Sequence, residues 1–256
     1  MPSPTFVEIK IENRVGWVVL NRPPLNVMNT QMLNELRGAV EDLDRDERVA
    51  VIALRSSGEK AFSAGADVGD HTPEVEAEHF DAMYDLITKL QVNDAKPRVA
   101  VVHGFCFGGG IELAFSCDWV IARSDAKFAM PEVGLGIVNA LGATALLRFI
   151  SHANAMELAL SGRRIGADEA YRMGMIAHLL GEDEFETKAV ELVERTAQRS
   201  RVALQNGRRA IHECLDQKRS DRLETLRSDI DARSTEDYRE GMQAYLEKRQ
   251  PVWRDR

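Results

Sequence analysis

Two glutamates in unusual surroundings are candidates for acid–base chemistry. Glu112 lies in the stretch HGFCFGGGIELAFSCD, two residues after a run of three glycines that ends at Gly110. Glu132 lies twenty residues later, in KFAMPEVGLG, directly after Pro131. Two carboxyl groups that share one water can divide the work, because one takes a proton while the other delivers one. The alternative for each glutamate is a solvated surface position, and spacing alone does not place the two together.

Two loops of small residues could supply backbone donors to the same place. FSAGAD ends at Asp67, and CFGGGIE ends at Glu112. Small residues let a ligand approach the backbone N–H groups, and the first N–H groups of a helix have no partner within that helix. Two such donors that converge on one oxygen form an oxyanion hole. The alternative is that the glycines only permit tight packing; neither GxGxxG nor a P-loop is present.

The elements that must position these groups can be read from hydrophobic periodicity. Short apolar or alternating runs predict strands, namely TFVEIKIE, WVVLN, VAVIALRS, RVAVVHG, DWVIARS and KFAM. An apolar stripe predicts a helix from Thr30 to about Asp46, and Pro73 suits the first turn of a helix that ends near Val92. SGEKAFSAGADVGDHTP is expected to be a long loop.

The second half of the chain is expected to be helical. Helix is predicted for most of the chain from Leu141 onward, with Gly174 as a C-terminal stop, and for nearly all of the stretch from Glu182 to Arg249. Strands separated by helical segments predict parallel crossover units in the first half. The charge-dense stretch DQKRSDRLETLRSDIDARSTEDYREG is interpreted as a solvated helical face or a subunit interface.

Composition disfavours several classes of function. The 256 residues suffice for one large domain, with or without a helical appendage, and the net charge of -8 disfavours nucleic-acid and membrane partners. Cys106, Cys117 and Cys214 form no CxxC pair and no histidine cluster has metal spacing, so free thiols and no metal site are expected. With no signal-peptide pattern and no long apolar run, a cytoplasmic protein is expected.

Several motifs, in order, resemble those of the crotonase superfamily, the enoyl-CoA hydratases and isomerases. They are AFSAGADV, AVVHGFCFGGGIELAFSCDWVIA, AKFAMPEVGLG, LSGRRIGADEAYRMGMI and EDYREGMQAYLEKRQPVW. The resemblance covers the chain from about Phe6 to Trp253. It implies an α/β fold, a crotonase-type spiral of ββα units, in residues 1–195. It also implies a helical C-terminal trimerisation region in residues 196–256, so that a homotrimer or homohexamer is expected.

The resemblance also assigns roles within the site. It implies that the N–H groups of Ala66 and Gly109 form the oxyanion hole for an acyl-CoA thioester. Glu112 and Glu132 correspond to the family's hydratase pair, with Glu112 expected as the base on water and Glu132 as the acid at C2. Isomerases of the family usually keep only the second glutamate. Coenzyme A is part of the substrate, and no separate cofactor is expected.

Further residues are expected to contact the substrate or its CoA portion. By resemblance they are Arg22, Ser63, Ala64, Asp67, Gly108, Asn139, Tyr245 and Lys248. Lys248 has the alternative of a plain surface lysine, and Asp70 is interpreted as a turn former. His103 is expected to be packed structure, and Cys106 is not expected to be a nucleophile.

One segment departs from the family pattern. In LGIVNALGATALLRF, Asn139 and Ala140 stand where hydratases usually have Pro and Gly, and Ala143 replaces a glycine. This segment lines the acyl pocket in the family, so the substrate is open. NRPPLNVMN and FSAGADVGDHTPE resemble hydratases of cyclic dienoyl-CoA thioesters, such as cyclohexa-1,5-diene-1-carbonyl-CoA. Two further hypotheses are a Δ-isomerase that uses Glu132 alone and a non-catalytic RNA-binding or scaffold relative.

Overall fold

The computed structural model describes residues 5–70, 72, 75–92, 95–216 and 236–252. Its main sheet is formed by β1 (Val7–Glu12), β2 (Val15–Leu20), β3 (Val51–Ser56), β5 (Arg98–Val102), β7 (Trp119–Arg123) and β10 (His178–Leu180), in the order β1-β2-β3-β5-β7-β10. β1 and β2 form an antiparallel hairpin, and every other neighbouring pair is parallel. The predicted parallel crossover units are confirmed.

A second, smaller sheet carries the loops that matter for chemistry. It consists of β4 (Ala61–Ser63), β6 (Phe105–Phe107), β8 (Lys127–Ala129) and β9 (Ile165–Gly166), in the order β4-β6-β8-β9. β4 and β6 are parallel neighbours, as are β6 and β8. The segments that follow these three strands therefore leave the sheet along the same edge.

Nine α-helices are described. They are α1 (Thr30–Arg45), α2 (Glu76–Leu90), α3 (Gly109–Phe115), α4 (Ala140–Leu146), α5 (His152–Ser161), α6 (Ala167–Met173), α7 (Phe185–Ala197), α8 (Arg201–Asp216) and α9 (Glu236–Leu246). Short 3₁₀ helices cover Val68–Asp70, Pro131–Leu135 and Glu182–Glu184. Gly174 ends α6 in the left-handed region, with φ 90°, as its position in the sequence predicts.

Four short strands of the structure are absent from the prediction. β4 lies within the stretch expected to be loop, and β9 and β10 interrupt the region expected to be helical after Leu141. β6, between the RVAVVHG strand and the glycine run, was also missed. These strands have two or three residues each, so they are too short for a periodic pattern and depend on pairing with neighbours.

The helix α1 shows why the longer elements were predictable. Asn29 caps it, because its side chain accepts a hydrogen bond from the Met32 N–H at 3.0 Å. The predicted stripe of Met32, Leu33, Leu36, Val40 and Leu43 is buried in the main core. α1 packs against α2 and the sheet on this face. On the other face of the sheet, α7 buries Phe185, Ala189, Val193 and Ala197.

A buried ionic cluster ties α8 to the sheet. Asp118, directly before β7, accepts a hydrogen bond from the Arg98 N–H at 2.8 Å and from Arg208 Nε at 2.8 Å. His212 Nε2 lies 2.9 Å from its other oxygen. Burial alone would raise the pKa of Asp118, but the bonds to His212 and Arg208 lower it to about 2. The carboxylate is therefore held ionised against the side of α8.

The predicted division of the chain stays a prediction. Its boundary, between residues 195 and 196, falls two residues before the end of α7. Residues 217–235, most of the charge-dense stretch, lie outside the described part of the chain, as do Pro73, Trp253 and the side chain of Cys214.

Candidate active site

Gly108, Gly109 and Gly110 lie where the backbone is in close contact with neighbouring groups. Gly108 lies between β6 and α3 with φ +53°, and a Cβ built on it would stand 2.5 Å from Glu132 Oε1. A Cβ on Gly110 would stand 2.5 Å from the carbonyl oxygen of Ser63. The run is therefore required both by a left-handed backbone and by close approach of two neighbouring segments.

The two predicted oxyanion donors lie on adjacent segments. Met28 donates its N–H to Gly65 O at 2.8 Å and accepts from the Asp67 N–H at 2.9 Å, which directs the Ala66 N–H away from Met28. A Cβ built on Gly109 would stand 3.3 Å from the Ala66 nitrogen. Within the described residues, neither the Ala66 nor the Gly109 N–H donates to a backbone carbonyl. That both donate to one acceptor stays a prediction.

A small cavity brings the predicted chemical groups together. Its volume is about 70 Å³, and its lining residues are Ala66, His79, Phe80, Met83, Gly109, Glu112, Glu132, Ile137, Val138, Asn139, Ala140 and Leu141. Both glutamates, both donor residues and Asn139 are thus neighbours around one space. A larger cavity of about 410 Å³ lies beside α8 and the Asp118 cluster, and none of the predicted site residues lines it.

The Glu132 carboxyl is held by a short segment and one amide. Glu132 lies in the 3₁₀ helix Pro131–Leu135, and its Oε1 accepts a hydrogen bond from Asn139 Nδ2 at 2.6 Å. Its Oε2 is buried and has no hydrogen-bond partner among the described residues. Burial raises the pKa of Glu132 to about 7, although the bond from Asn139 works in the opposite direction.

The Glu112 carboxyl is the less acidic of the pair. Glu112 lies in the first turn of α3, and burial raises its pKa to about 8, with a further contribution from the nearby Glu132 charge. The pKa values of both carboxyls are therefore raised towards neutral pH, and the two titrate as a coupled pair. The assignment of Glu112 as the base and Glu132 as the acid stays a prediction.

Four of the residues expected to bind CoA lie around the first loop. Arg22 pairs with Asp67 at 2.7 Å, and both side chains are partly exposed at the surface. Ser63 is fully buried, donates to Asn26 O at 2.8 Å and accepts from the Gly65 N–H at 3.2 Å. Its hydroxyl therefore shapes the loop from inside. Ala64 donates its N–H to Leu25 O at 2.9 Å.

The two C-terminal candidates lie apart from the cavity. Tyr245 is near the end of α9 with 54% of its surface exposed, and Lys248 follows in an exposed turn with φ +54°. Neither lines the cavity, so their contact with CoA stays a prediction. The backbone of Gly241 in α9 does lie against Leu135, with no room for a Cβ between them. α9 thus packs on the 3₁₀ helix that carries Glu132.

Helix α2 also contributes to the site, although its sequence does not indicate this. His79, Phe80 and Met83 line the cavity from this helix. Asp70, interpreted as a turn former, accepts from the Thr30 N–H at 2.7 Å and lies 3.5 Å from His79 Nδ1. The only signal was that His79 shares the apolar side of a predicted helix, and such a histidine is more often plain core.

Two other candidates are structural, as expected. His103 is buried, its Nε2 lies 2.8 Å from Gly58 O, and burial lowers its pKa. Cys106 is a free, buried cysteine whose thiol pKa is raised by burial, so it is a poor nucleophile. Among the described residues there is no cluster of His, Cys, Asp or Glu that could hold a metal ion. None of the helices described is both long enough and apolar enough to span a membrane.

Comparison with known proteins gives consistent matches over almost the whole chain. The family model for enoyl-CoA hydratase/isomerase matches residues 10–256. A probable enoyl-CoA hydratase of Mycobacterium bovis is 36% identical over 257 residues, covering 98% of this chain and 100% of its own. The crotonyl-CoA hydratase of Syntrophomonas wolfei is 34% identical over 244 residues, covering 93% of this chain and 94% of its own.

A solved structure agrees with the fold. The crystal structure of an enoyl-CoA hydratase from Mycobacterium avium subsp. paratuberculosis superposes with a TM-score of 0.86 at 26% identity. The superposition covers 98% of this chain and 100% of that one. The expected crotonase-type α/β fold is therefore confirmed.

Proposed function

Because the chain belongs to the enoyl-CoA hydratase/isomerase family, we propose that it adds water to the conjugated double bond of a short-chain enoyl-CoA thioester. The observation that carries this proposal is the common cavity of Glu112, Glu132, Ala66 and Gly109. Hydration needs a base, an acid and a site for the charge that develops on the thioester oxygen. All three functions have a candidate around this one space.

The proposed reaction divides into two movements of charge. One carboxylate takes a proton from water as the water oxygen bonds to C3, and the π electrons move onto the thioester oxygen. The N–H groups of Ala66 and Gly109 donate to that oxygen as its negative charge grows. The other carboxyl then delivers a proton to C2. A pair whose pKa values are both raised towards neutrality suits this division, because a base and an acid can then be present together.

The pair also favours hydration over simple isomerisation. Moving a double bond requires one group that removes a proton and returns it, so a single carboxylate suffices. Here a second carboxyl is buried beside the first, although burial of each raises its pKa and costs stability. In hydration the second carboxyl has a use, because one carboxyl activates water while the other delivers a proton to C2.

The lining of the cavity suits an apolar acyl group. Phe80, Met83, Ile137 and Leu141 contribute apolar side chains around the two glutamates. Relatives that match this chain include the crotonyl-CoA hydratase already described. We therefore propose a linear, short-chain enoyl-CoA in preference to a long-chain substrate.

Loss of the absorbance of the conjugated thioester, with crotonyl-CoA as substrate, tests the proposal directly. We expect turnover to 3-hydroxybutyryl-CoA, identified by chromatography of the product. Parallel assays use a long-chain enoyl-CoA and cyclohexa-1,5-diene-1-carbonyl-CoA. Turnover of the cyclic substrate alone would make the VNALGAT segment a specificity element for rings. A shifted double bond without hydration would indicate the isomerase, and tight RNA binding without turnover a non-catalytic relative.

We also propose that the chain assembles as a homotrimer or a pair of trimers, on the basis of its resemblance to the family. α8 and α9 would supply the contacts, as the family's helical C-terminal region does. Light scattering on the purified protein gives the molecular mass in solution. A monomer at micromolar concentration would contradict this assembly.

A further inference from the structure

The carboxylate of Asp70 connects the loop that carries Ala66 to the start of α1. Asp70 is the last residue of the 3₁₀ helix Val68–Asp70, which follows Ala66 closely in the chain. Its Oδ2 accepts hydrogen bonds from the Thr30 N–H at 2.7 Å and from the Thr30 hydroxyl at 2.9 Å. Thr30 is the first residue of α1, a helix of 16 residues. One carboxylate oxygen therefore joins this loop to a long helix.

The start of α1 is a favourable place for a negative charge. The first N–H groups of a helix have no partner within that helix, and the helix dipole is positive at this end. Burial acts to raise the pKa of Asp70, but the two bonds from Thr30 and the neighbouring His79 lower that pKa below its ordinary value. Asp70 is therefore a carboxylate at neutral pH, and hydrogen bonds to an ionised acceptor are the stronger kind.

The direction of the Ala66 N–H is set by the peptide that joins Ala66 to Gly65. The Gly65 carbonyl oxygen of this peptide accepts a hydrogen bond from the Met28 N–H at 2.8 Å. In a planar trans peptide the N–H points opposite to the C=O, so the Ala66 N–H points away from Met28. A shift of the loop relative to Met28 would therefore turn the proposed oxyanion donor.

Two attachments on neighbouring residues oppose such a shift. The first is the isolated bridge between Met28 and Ala66, which has only two backbone hydrogen bonds. Beyond it the loop turns, with the Asp70 N–H donating to Asp67 O at 2.9 Å. The second attachment is the contact of the Asp70 carboxylate with Thr30, two residues after Met28. We propose that Asp70 is a positioning residue that, through Thr30, keeps the Ala66 N–H directed into the oxyanion hole. This inference rests on the proposed function.

Asp70 acts through the loop and not on the substrate itself, since it is not among the described residues that line the cavity. Without the Thr30 contact, the Ala66 N–H would donate less well to the charge that grows on the thioester oxygen, while the substrate keeps its other contacts. The rate of the chemical step should therefore suffer more than binding. Asp70 also lies 3.5 Å from Nδ1 of His79, so the test must separate this contact from the contact with Thr30.

Two variants remove the contact from opposite sides. Asp70→Ala removes the acceptor, whereas Thr30→Pro removes both donors and keeps the side chains of Asp70 and His79. Proline suits the first position of a helix, and Asn29 before it has the extended backbone that precedes proline, with φ -88° and ψ 169°. For each variant we expect kcat with crotonyl-CoA to fall about tenfold to a hundredfold, with KM changed by less than about threefold. The double variant should lose no more than the worse single variant, because both remove one interaction.

Two further variants separate positioning from stability. Asp70→Asn keeps an oxygen that can accept from the Thr30 N–H, so it should recover most of the kcat lost in Asp70→Ala. Glu35→Ala is the matched control, because it also removes a carboxylate on or beside α1 that accepts a backbone N–H, that of Phe6 at 2.7 Å. Glu35 does not line the cavity. Its variant should have a lower Tm and the kcat of wild type.

A spectroscopic readout reports the oxyanion hole without turnover. The probe is butyryl-CoA labelled with ¹³C at the thioester carbonyl, which has no double bond to hydrate. Hydrogen bonds to a carbonyl oxygen lower its infrared stretching frequency. We expect the band bound to wild type and to Glu35→Ala to lie below that in solution. In Asp70→Ala and Thr30→Pro it should return towards the solution value.

The outcomes distinguish this inference from the proposed function. A band that is the same in wild type, Asp70→Ala and Thr30→Pro, while wild type hydrates crotonyl-CoA, would overturn the role of Asp70 and leave the proposed function intact. If wild type does not hydrate crotonyl-CoA but its low band is lost in both variants, the proposed function fails and the role of Asp70 stands. A loss in Asp70→Ala alone would assign the effect to His79 and refute the inference. If Asp70→Ala does not fold, the band of Thr30→Pro decides.

Discussion

Gly108 lies directly against the Glu132 carboxyl, and a Cβ added to the glycine would stand 2.5 Å from Oε1. The next residue, Gly109, carries one of the two proposed oxyanion donors. The glycine that contacts the Glu132 carboxyl is therefore the direct neighbour of the residue whose N–H is proposed to stabilise negative charge on the thioester oxygen. The backbone at Gly108 has φ +53°, which residues other than glycine rarely adopt.

Gly108→Ala is expected to abolish most activity. The new methyl group would displace the Glu132 carboxyl and strain the backbone, with a loss of stability of about 1–3 kcal/mol. We expect kcat/KM for crotonyl-CoA to fall ~10²-fold or more, because misplacement by about 1 Å has such effects. Gly134→Ala is the control, since nothing lies within 4 Å of a Cβ there. Equal activity of the two variants would show that Gly108 does not seat Glu132.

Glu112→Gln should remove acid–base function while keeping the shape of the cavity. The amide fills the same volume but cannot exchange the proton that the reaction needs. We expect kcat to fall ~10²–10⁴-fold, with a smaller change in KM. Glu78→Gln, at an exposed position on α2, makes the same substitution away from the cavity and should leave kcat unaltered. Full hydratase activity in Glu112→Gln would refute the role proposed for this residue.

The same variant should be more stable than wild type at alkaline pH. The pKa of Glu112 is raised from 4.5 to about 8, so the folded protein keeps a proton that the unfolded chain releases. The free energy of unfolding then falls as pH rises from about 4.5 to about 8. Glu112→Gln lacks this loss, and the difference should reach a few kcal/mol at ~1.4 kcal/mol per pKa unit.

Thermal unfolding at several pH values measures this effect. For a chain of this size each 1 kcal/mol corresponds to ~2–4 °C in Tm. The gain should be near zero at pH 4.5 and largest above pH 8. A constant gain across this range would indicate an effect of packing rather than of ionisation.

Asp118→Asn should destabilise the fold and leave the chemistry intact. It removes the charge that pairs with Arg208 and His212, which leaves a buried cation without its partner, at a cost of about 3–5 kcal/mol. Denaturant unfolding measures the loss. Because the pKa of Asp118 is lowered to about 2, its contribution is present above pH 4 and is lost as pH falls towards 2.

Comparing the stabilities of wild type and Asp118→Asn at pH 6 and pH 3 checks whether the contribution of Asp118 is lost as pH falls. Wild type and Asp118→Asn should differ most at pH 6 and converge at low pH. The kcat of the folded variant should match wild type, because Asp118 does not line the small cavity. A difference in stability that grows with acidity would contradict the assignment.

The elements with a long hydrophobic periodicity could be predicted from sequence, while the shortest elements could not. The apolar stripe from Met32 to Leu43 is sufficient to predict α1, because every third or fourth residue is apolar. β4 and β6 have three residues each, and only their parallel pairing in the second sheet makes them strands. Their existence depends on contacts distant in sequence.

The residues of the site likewise differ in whether the sequence predicts them. Ala66, Gly109, Glu112 and Glu132 were found from small-residue loops, charged residues and the family motifs. His79 was not found, because a histidine on the apolar side of a helix has no distinguishing neighbours in sequence. The hydrogen bond from Asn139 to Glu132 depends on a rotamer and on Gly142, and neither is visible in the order of residues.

Gly241→Ala tests whether α9 supports the catalytic segment. A methyl group at this position has no room against the Leu135 backbone, so α9 must shift or the Pro131–Leu135 helix must move. We expect kcat/KM to fall about tenfold or more, with a lower Tm. Gly207→Ala on α8, where a Cβ meets nothing within 4 Å, is the matched control. Wild-type kinetics in Gly241→Ala would show that α9 does not act on Glu132.

The packing of α9 on Leu135 also has a consequence for when the active site is completed during synthesis. The sheets and both glutamates belong to parts of the chain that leave the ribosome well before Gly241. Met242 and Ile137 form a small apolar cluster that exists only when the last helix has been made. A nascent chain can therefore build its core early and still lack a firmly seated Glu132. The contact between α9 and the segment that carries Glu132 is therefore available only late in synthesis.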